Sequence, residues 1–130
     1  MTGFLISRYY YLLHRLNYTI MNEITLIGQL AFSPTYHCTH KGLDLTRFEL
    51  RTTSGDRQEA HHCTAWGPAA LDLHEHLNPG DRLLIRGELR YRRRTDRRGG
   101  TLRVPEIYVR GYSYLGKGVL SEVNEVVRLV

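Results

Sequence analysis

From Met21 onward the apolar residues fall into short runs, several of them at the two-residue spacing of a strand with one buried face. Ile24, Leu26 and Ile27 lead into Gly28 and Leu30, Pro34 ends that run, and a loop containing Tyr36 to Gly42 follows. Leu45 to Thr53 alternates strictly, with Thr46, Phe48 and Leu50 on one face and Arg47, Glu49 and Arg51 on the other. Ser54-Gly55-Asp56 makes a turn, and residues 58–66 form a third strand ending at Trp66. Gly67-Pro68 then opens a short helix whose apolar stripe is Ala70, Leu73 and Leu77, and Asn78-Pro79-Gly80-Asp81 terminates it. Residues 82–92 alternate again. Leu83, Ile85, Gly87, Leu89 and Tyr91 share one face, which puts Tyr91 in the core; Leu84, Arg86, Glu88, Arg90 and Arg92 share the other. Asp96 to Gly100 is a hairpin tip, residues 101–109 are the returning strand, and Pro105 marks a bulge or an edge in it.

Strand, strand, strand, short helix, strand, strand is the order of the five-stranded oligonucleotide-binding barrel, an all-β fold with one short helix. A small α+β domain of another kind can share that order. A length of 130 residues with 42% hydrophobic side chains allows one domain with a modest core.

Charge changes the picture more than composition does. The chain carries a formal +5, and its positive charge is concentrated. Between Arg82 and Arg110 lie Arg86, Arg90, Arg92, Arg93, Arg94, Arg97, Arg98 and Arg103, opposed only by Glu88, Asp96 and Glu106. An ordinary solvated surface mixes signs, so the excess points to a polyanion. Arginine grips phosphate with a planar fork and stacks on bases. The hairpin of the last two strands is thus read as a basic finger, with Arg47 and Arg51 extending the positive track. Single strands are held by such a track together with aromatic rings. Trp66 is the stacking candidate, against a reading as a core residue at the barrel end. Tyr36 is placed to reach a ligand from its loop, and Tyr108, Tyr112 and Tyr114 either pack or build an interface.

These segments resemble the bacterial single-stranded DNA-binding proteins over about residues 21–115. Met21 to Leu30 resembles their opening strand, and Pro34 and Gly42 fit the loop after it. Arg47-Phe48-Glu49-Leu50 and Ala65-Trp66-Gly67 resemble the second strand and the end of the third. Leu77, Gly80 and Asp81 precede Leu83-Leu84-Ile85-Arg86-Gly87-Glu88-Leu89-Arg90, which matches the fourth, and Arg92 to Asp96 looks like the basic turn. The resemblance implies sequence-independent binding of single-stranded DNA, with RNA as an alternative, in replication, recombination or repair. It also implies a homotetramer or homodimer, stacking by Trp66 and a place for His61 near a subunit interface. Ala60 and Arg94 stand where the family has stacking Trp residues, and the short loop Ser54 to Arg57 lacks another. Binding is therefore expected to lean on Arg–phosphate contacts and to be sensitive to salt.

Residues 1–20 have no counterpart in the family and read as an N-terminal extension or a misassigned start. Residues 116–130 are a short C-terminal segment without the family's acidic, Phe-ending tail, so partners recruited through such a tail are not expected. A relative of primosomal replication protein N, acting mainly through protein partners, is the alternative. The apolar stretches of residues 1–20 are interrupted by Arg8, His14 and Arg15 and are too short to span a bilayer, and no small-residue cleavage site follows them. A cytoplasmic location with Cys38 and Cys63 reduced is the expectation. The histidines and cysteines (His37, Cys38, His40, His61, His62, Cys63, His74 and His76) lack zinc spacing. No nucleophile–base pair or phosphate loop is visible, so neither an enzyme, a cofactor nor a metal is expected.

Overall fold

A computed structural model describes residues 20–117. The expectations for the extension up to residue 19 and for the segment from residue 118 lie outside the described residues. Six strands and one helix follow in order: β1 (Ile24–Leu30), β2 (Thr35–Cys38), β3 (Asp44–Ser54), β4 (Arg57–Trp66), α1 (Pro68–His76), β5 (Asp81–Thr95) and β6 (Thr101–Lys117). Hydrogen bonding runs β1-β5-β6-β4-β3, and β3 returns to β1 through Gln29↔Arg51 and Leu30↔Leu50. Five strands therefore close a ring, the oligonucleotide-binding barrel expected from the alternation. The sixth, β2, lies within the stretch read as a loop. It pairs with Asp44 to Arg47 of β3, on the side that β1 takes up further along. Its four residues carry no alternation of burial, which is why the pattern did not reveal it.

Alternation places the core as read. Leu30, Phe48, Leu50, Cys63, Ala65, Leu83, Ile85 and Ile107 fill the barrel, and Ala70 and Leu73 of α1, with Leu77 directly after it, plug one end. The Thr46 hydroxyl, buried beneath the plug, donates to the Ala70 carbonyl at 2.7 Å. The outer side of α1 is tied to β6 through Asp72, which accepts from the Tyr112 hydroxyl at 2.6 Å and the Tyr114 hydroxyl at 3.1 Å. These bonds, that of Tyr112 foremost, hold the Asp72 carboxyl below its ordinary range. Tyr36 is likewise engaged: its hydroxyl donates to Asp44, its ring centroid lies 5.1 Å from that of His74, and the Asp44 bond pushes its pKa up to about 12.

The longest pairing joins β5 to β6 from Asp81↔Lys117 to Thr95↔Thr101. The returning strand thus extends well past residue 109. Irregularities in this ladder fall between Arg82 and Leu83 and between Arg86 and Gly87, not at Pro105, which stands in register opposite Tyr91. Pro105 lies outside the short parallel pairing of β4 with Ile107 and Tyr108, where a missing N–H costs no ladder bond. At the tip, Asp96 Oδ1 accepts from the backbone N–H groups of Arg98 and Gly100 at 2.9 and 2.7 Å. At the base, the Asn22 side chain exchanges two hydrogen bonds with the Leu89 backbone, at 2.7 and 2.9 Å, in the manner of a strand neighbour.

Burial separates the two thiols. Desolvation, with the Glu106 charge nearby, pushes the Cys63 thiol up to about 12, whereas Cys38 is exposed. A disulfide reagent at pH 8 is expected to label Cys38 promptly and Cys63 only after denaturation, because the thiolate is the reacting species. Equal native labelling rates would show that the Cys63 site is open.

Candidate nucleic-acid interface

Residues directly opposite in a ladder share a face, so the registers assign every finger side chain to one side. Arg47↔Thr64 places Arg47, Thr64 and, by alternation, Trp66 on one outer face of β3 and β4. Thr64↔Tyr108 carries that face onto β6, to Tyr108, Glu106, Val104 and Leu102. Glu88↔Tyr108, Arg90↔Glu106, Arg92↔Val104 and Arg94↔Leu102 carry it onto β5. Arg47, Arg92 and Arg94 thereby line one groove with Phe32, His62, Thr64 and Glu106, enclosing about 280 Å³.

The floor of this groove is charged in an unusual way. Glu106 is only 5% exposed, yet its carboxylate lies 3.8 Å from Arg47 Nε and 3.7 Å from Arg92 Nε. One buried anion thus spaces two cations that come from different strands. Both guanidiniums remain about half-exposed and keep donors for a further anion. The Thr64 hydroxyl beside them is buried and has no hydrogen-bond partner among the described residues. Rings flank the charges. Trp66 is 39% exposed with its ring centroid 6.4 Å from Tyr108, and the Arg90 guanidinium lies 5.4 Å over Tyr108. Arg51 lies 5.3 Å over Phe32, whose ring projects from the β1–β2 connection and is 62% exposed. A groove with basic walls, half-exposed rings and unused donors can hold an extended polyanion that also presents flat apolar surfaces.

Residues 21–115 match the profile of the Single-strand binding protein family. The chain belongs to that family. It is 28% identical over 92 residues to a single-stranded DNA-binding protein of Malacoplasma penetrans, covering 68% of this chain and 49% of that protein. It is 31% identical over 88 residues to single-stranded DNA-binding proteins of Xanthomonas campestris pv. campestris and Xanthomonas axonopodis pv. citri, covering 61% of this chain and 51% and 49% of those proteins. The chain spans about half the length of the curated relatives it matches.

In this member of the family the expected arginines divide. Arg47, Arg92 and Arg94 meet in the groove, with Arg51 at its edge beside Phe32. Arg90 stays on the groove face, held to Glu88 at 2.6 Å. Arg110 binds the same carboxylate at 2.8 Å, and together they hold Glu88 below its ordinary range, Arg110 contributing most. Arg86 does not line the groove: it pairs with Glu23 at 2.8 Å and lines a separate cavity with Glu88 and Arg110. Arg97 and Arg98 occupy the tip, while Arg93 and Arg103 face the other side of the finger. Tyr91 is on that side too and, contrary to the core reading, is 52% exposed. The finger projects past the barrel there, so no opposite layer remains to cover the face that is core lower down. His61 is half-buried, with Nε2 2.8 Å from the Thr52 hydroxyl.

Phe32, Thr64 and Glu106 are groove residues that the pattern did not single out, and Tyr108, read as packing or building an interface, stands beside Trp66 on the same face. An apolar residue two positions before Pro34, outside any alternation, was the available signal for Phe32. Nothing in the sequence distinguishes Glu106 from an ordinary surface acid, because its burial depends on the β4–β6 pairing.

Proposed function

We propose that this protein binds single-stranded DNA without sequence preference, in replication, recombination or repair, and acts by binding rather than catalysis. The observation that carries this reading is one groove lined by Arg47, Arg92, Arg94 and Phe32, with Trp66 and Tyr108 side by side on the same outer face. Arginines grip the backbone, and the rings stack on bases, whose flat faces are common to every sequence. The names of the relatives point the same way. Assembly of several barrels, with His61 near the contact, belongs to the same reading.

Trp66 is the only tryptophan, so its fluorescence reports the groove alone. Titration with oligothymidine is expected to quench it, with duplex DNA competing weakly and RNA setting the DNA preference. Trp66→Ala should then cost about 1–3 kcal/mol of binding. Tight binding with unchanged fluorescence would reject the stacking role, and the absence of single-strand binding would reject the function.

A further inference from the structure

We infer that Glu106, an acid in a groove for a polyanion, strengthens binding there: it is a positioning residue that holds Arg47 and Arg92 in the geometry that meets phosphate. The inference rests on the groove reading above and gives a role to a residue whose charge alone would oppose it.

The place of the carboxylate in the fold comes first. Glu106 stands on β6 directly before the short parallel pairing Cys63↔Ile107 and Thr64↔Tyr108, where β4 and β6 part. β3, which carries Arg47, and β5, which carries Arg92, are not neighbours in the sheet. Glu106 bridges them, with Oε1 toward Arg47 and Oε2 toward Arg92. No other side chain among the described residues forms an ion pair with both.

The atoms that meet are the second observation. Both contacts run to Nε, at 3.8 and 3.7 Å, too long for hydrogen bonds. The carboxylate therefore steers each guanidinium by charge without consuming an N–H. Neither guanidinium spends a donor on another group among the described residues, so their Nη edges are free to grip a phosphate.

Burial is the third. Glu106 is buried, while both arginines are about half-exposed. A buried charge is costly without its partners, so a rotamer that carries either arginine away is penalised. Without the acid, the two cations would repel each other and spread over many rotamers, which an arriving strand would have to order again. With it, that ordering is a property of the fold.

Charge and positioning predict opposite signs. Glu106→Gln is nearly isosteric and makes the groove more positive, so charge alone would tighten the binding of oligothymidine. Positioning predicts binding about tenfold weaker at about 0.1 M salt, with a log–log salt slope shallower by up to about 1.4, the value for two phosphate contacts on a single strand. Glu59→Gln makes the same charge change at an exposed acid that has no ion pair among the described residues, and should bind within twofold of the unmodified protein. In the Arg47→Ala/Arg92→Ala background, Glu106→Gln should cost no further affinity and should raise the melting temperature, because the carboxylate there has lost both partners. A merely structural role would lower the melting temperature and leave the salt slope in place wherever the variant is folded. Circular dichroism certifies folding, and Glu106→Asp, which keeps the charge but draws it back from both Nε atoms, should lose part of the affinity in the same assay. The inference is overturned if Glu106→Gln (or Glu106→Asp, should the first not fold) binds as tightly as the unmodified protein. A loss of equal size in the double-arginine background overturns it too. Failure of the unmodified protein to bind oligothymidine would instead remove the groove reading on which it stands.

Discussion

Replacing Arg47, Arg92 and Arg94 together by Ala is expected to lower the affinity for single-stranded DNA on the order of a hundredfold at about 0.1 M salt, and to flatten the log–log salt slope by about 2. Each of these guanidiniums would release a condensed counterion on meeting phosphate, and three contacts at about 0.7 per phosphate give that change of slope. Removing Arg47 and Arg92 also strands Glu106, whose buried carboxylate has those two as its ion-pair partners. An unpaired buried charge is costly, so the triple variant should be less stable as well as weaker in binding. Arg94→Ala separates the two effects, because Arg94 makes no ion pair among the described residues. It should lose part of the affinity with no loss of melting temperature. Arg86→Ala is the internal control, since Arg86 answers to Glu23 outside the groove. If Arg86→Ala weakened binding as much as the triple variant, net charge rather than the groove would be responsible.

Gly87→Ala is expected to destabilise the fold by about 3 kcal/mol, a cost at the upper end for overpacking a buried site. A methyl at Gly87 would sit 2.1 Å from the Tyr108 carbonyl oxygen and 2.9 Å from its carbon. Both are backbone atoms of a paired strand, so no side-chain rotation relieves the clash. The position adjoins the irregularity between Arg86 and Gly87, where β6 changes register against β5. For a domain of this size the melting temperature should fall by about 10–20 °C. Urea or thermal unfolding followed by circular dichroism measures this directly, and a fall of less than about 2 °C would mean that β6 gives way easily. Because Tyr108 stands beside Trp66 on the face that carries the groove, the variant should also bind DNA more weakly at temperatures where it remains folded.

The barrel was legible because half-buried strands write their faces into the chain. Thr46, Phe48 and Leu50 against Arg47, Glu49 and Arg51, and the stripe Ala70, Leu73 and Leu77, are patterns with one physical solution each. The same rule misplaced Tyr91. Its parity matches that of Leu83 and Ile85, but parity says which face a residue is on and not whether anything covers that face. The grouping of arginines was legible as composition and not as geometry. Only the registers show that Arg92 and Arg94 point one way and Arg93 and Arg103 the other. Glu106 and Phe32 illustrate the remaining gap: one acquires its role from neighbours distant in sequence, and the other projects from a connection without periodicity.

From Gly87↔Val109 to Thr95↔Thr101 the β5–β6 ladder runs without irregularity, which makes the finger a cantilever rather than a loop. Its root is clamped where Asn22 grips the Leu89 backbone and where Gly87 lies flush against Tyr108. Further down the same strand, Tyr112 and Tyr114 anchor β6 to the helix plug through Asp72. A sideways load at the tip is therefore resisted by paired backbone along the whole beam and delivered into the barrel wall. Its guanidiniums ride on a stiff mount at fixed spacing, so capturing a strand requires the ordering of side chains but not of the main chain.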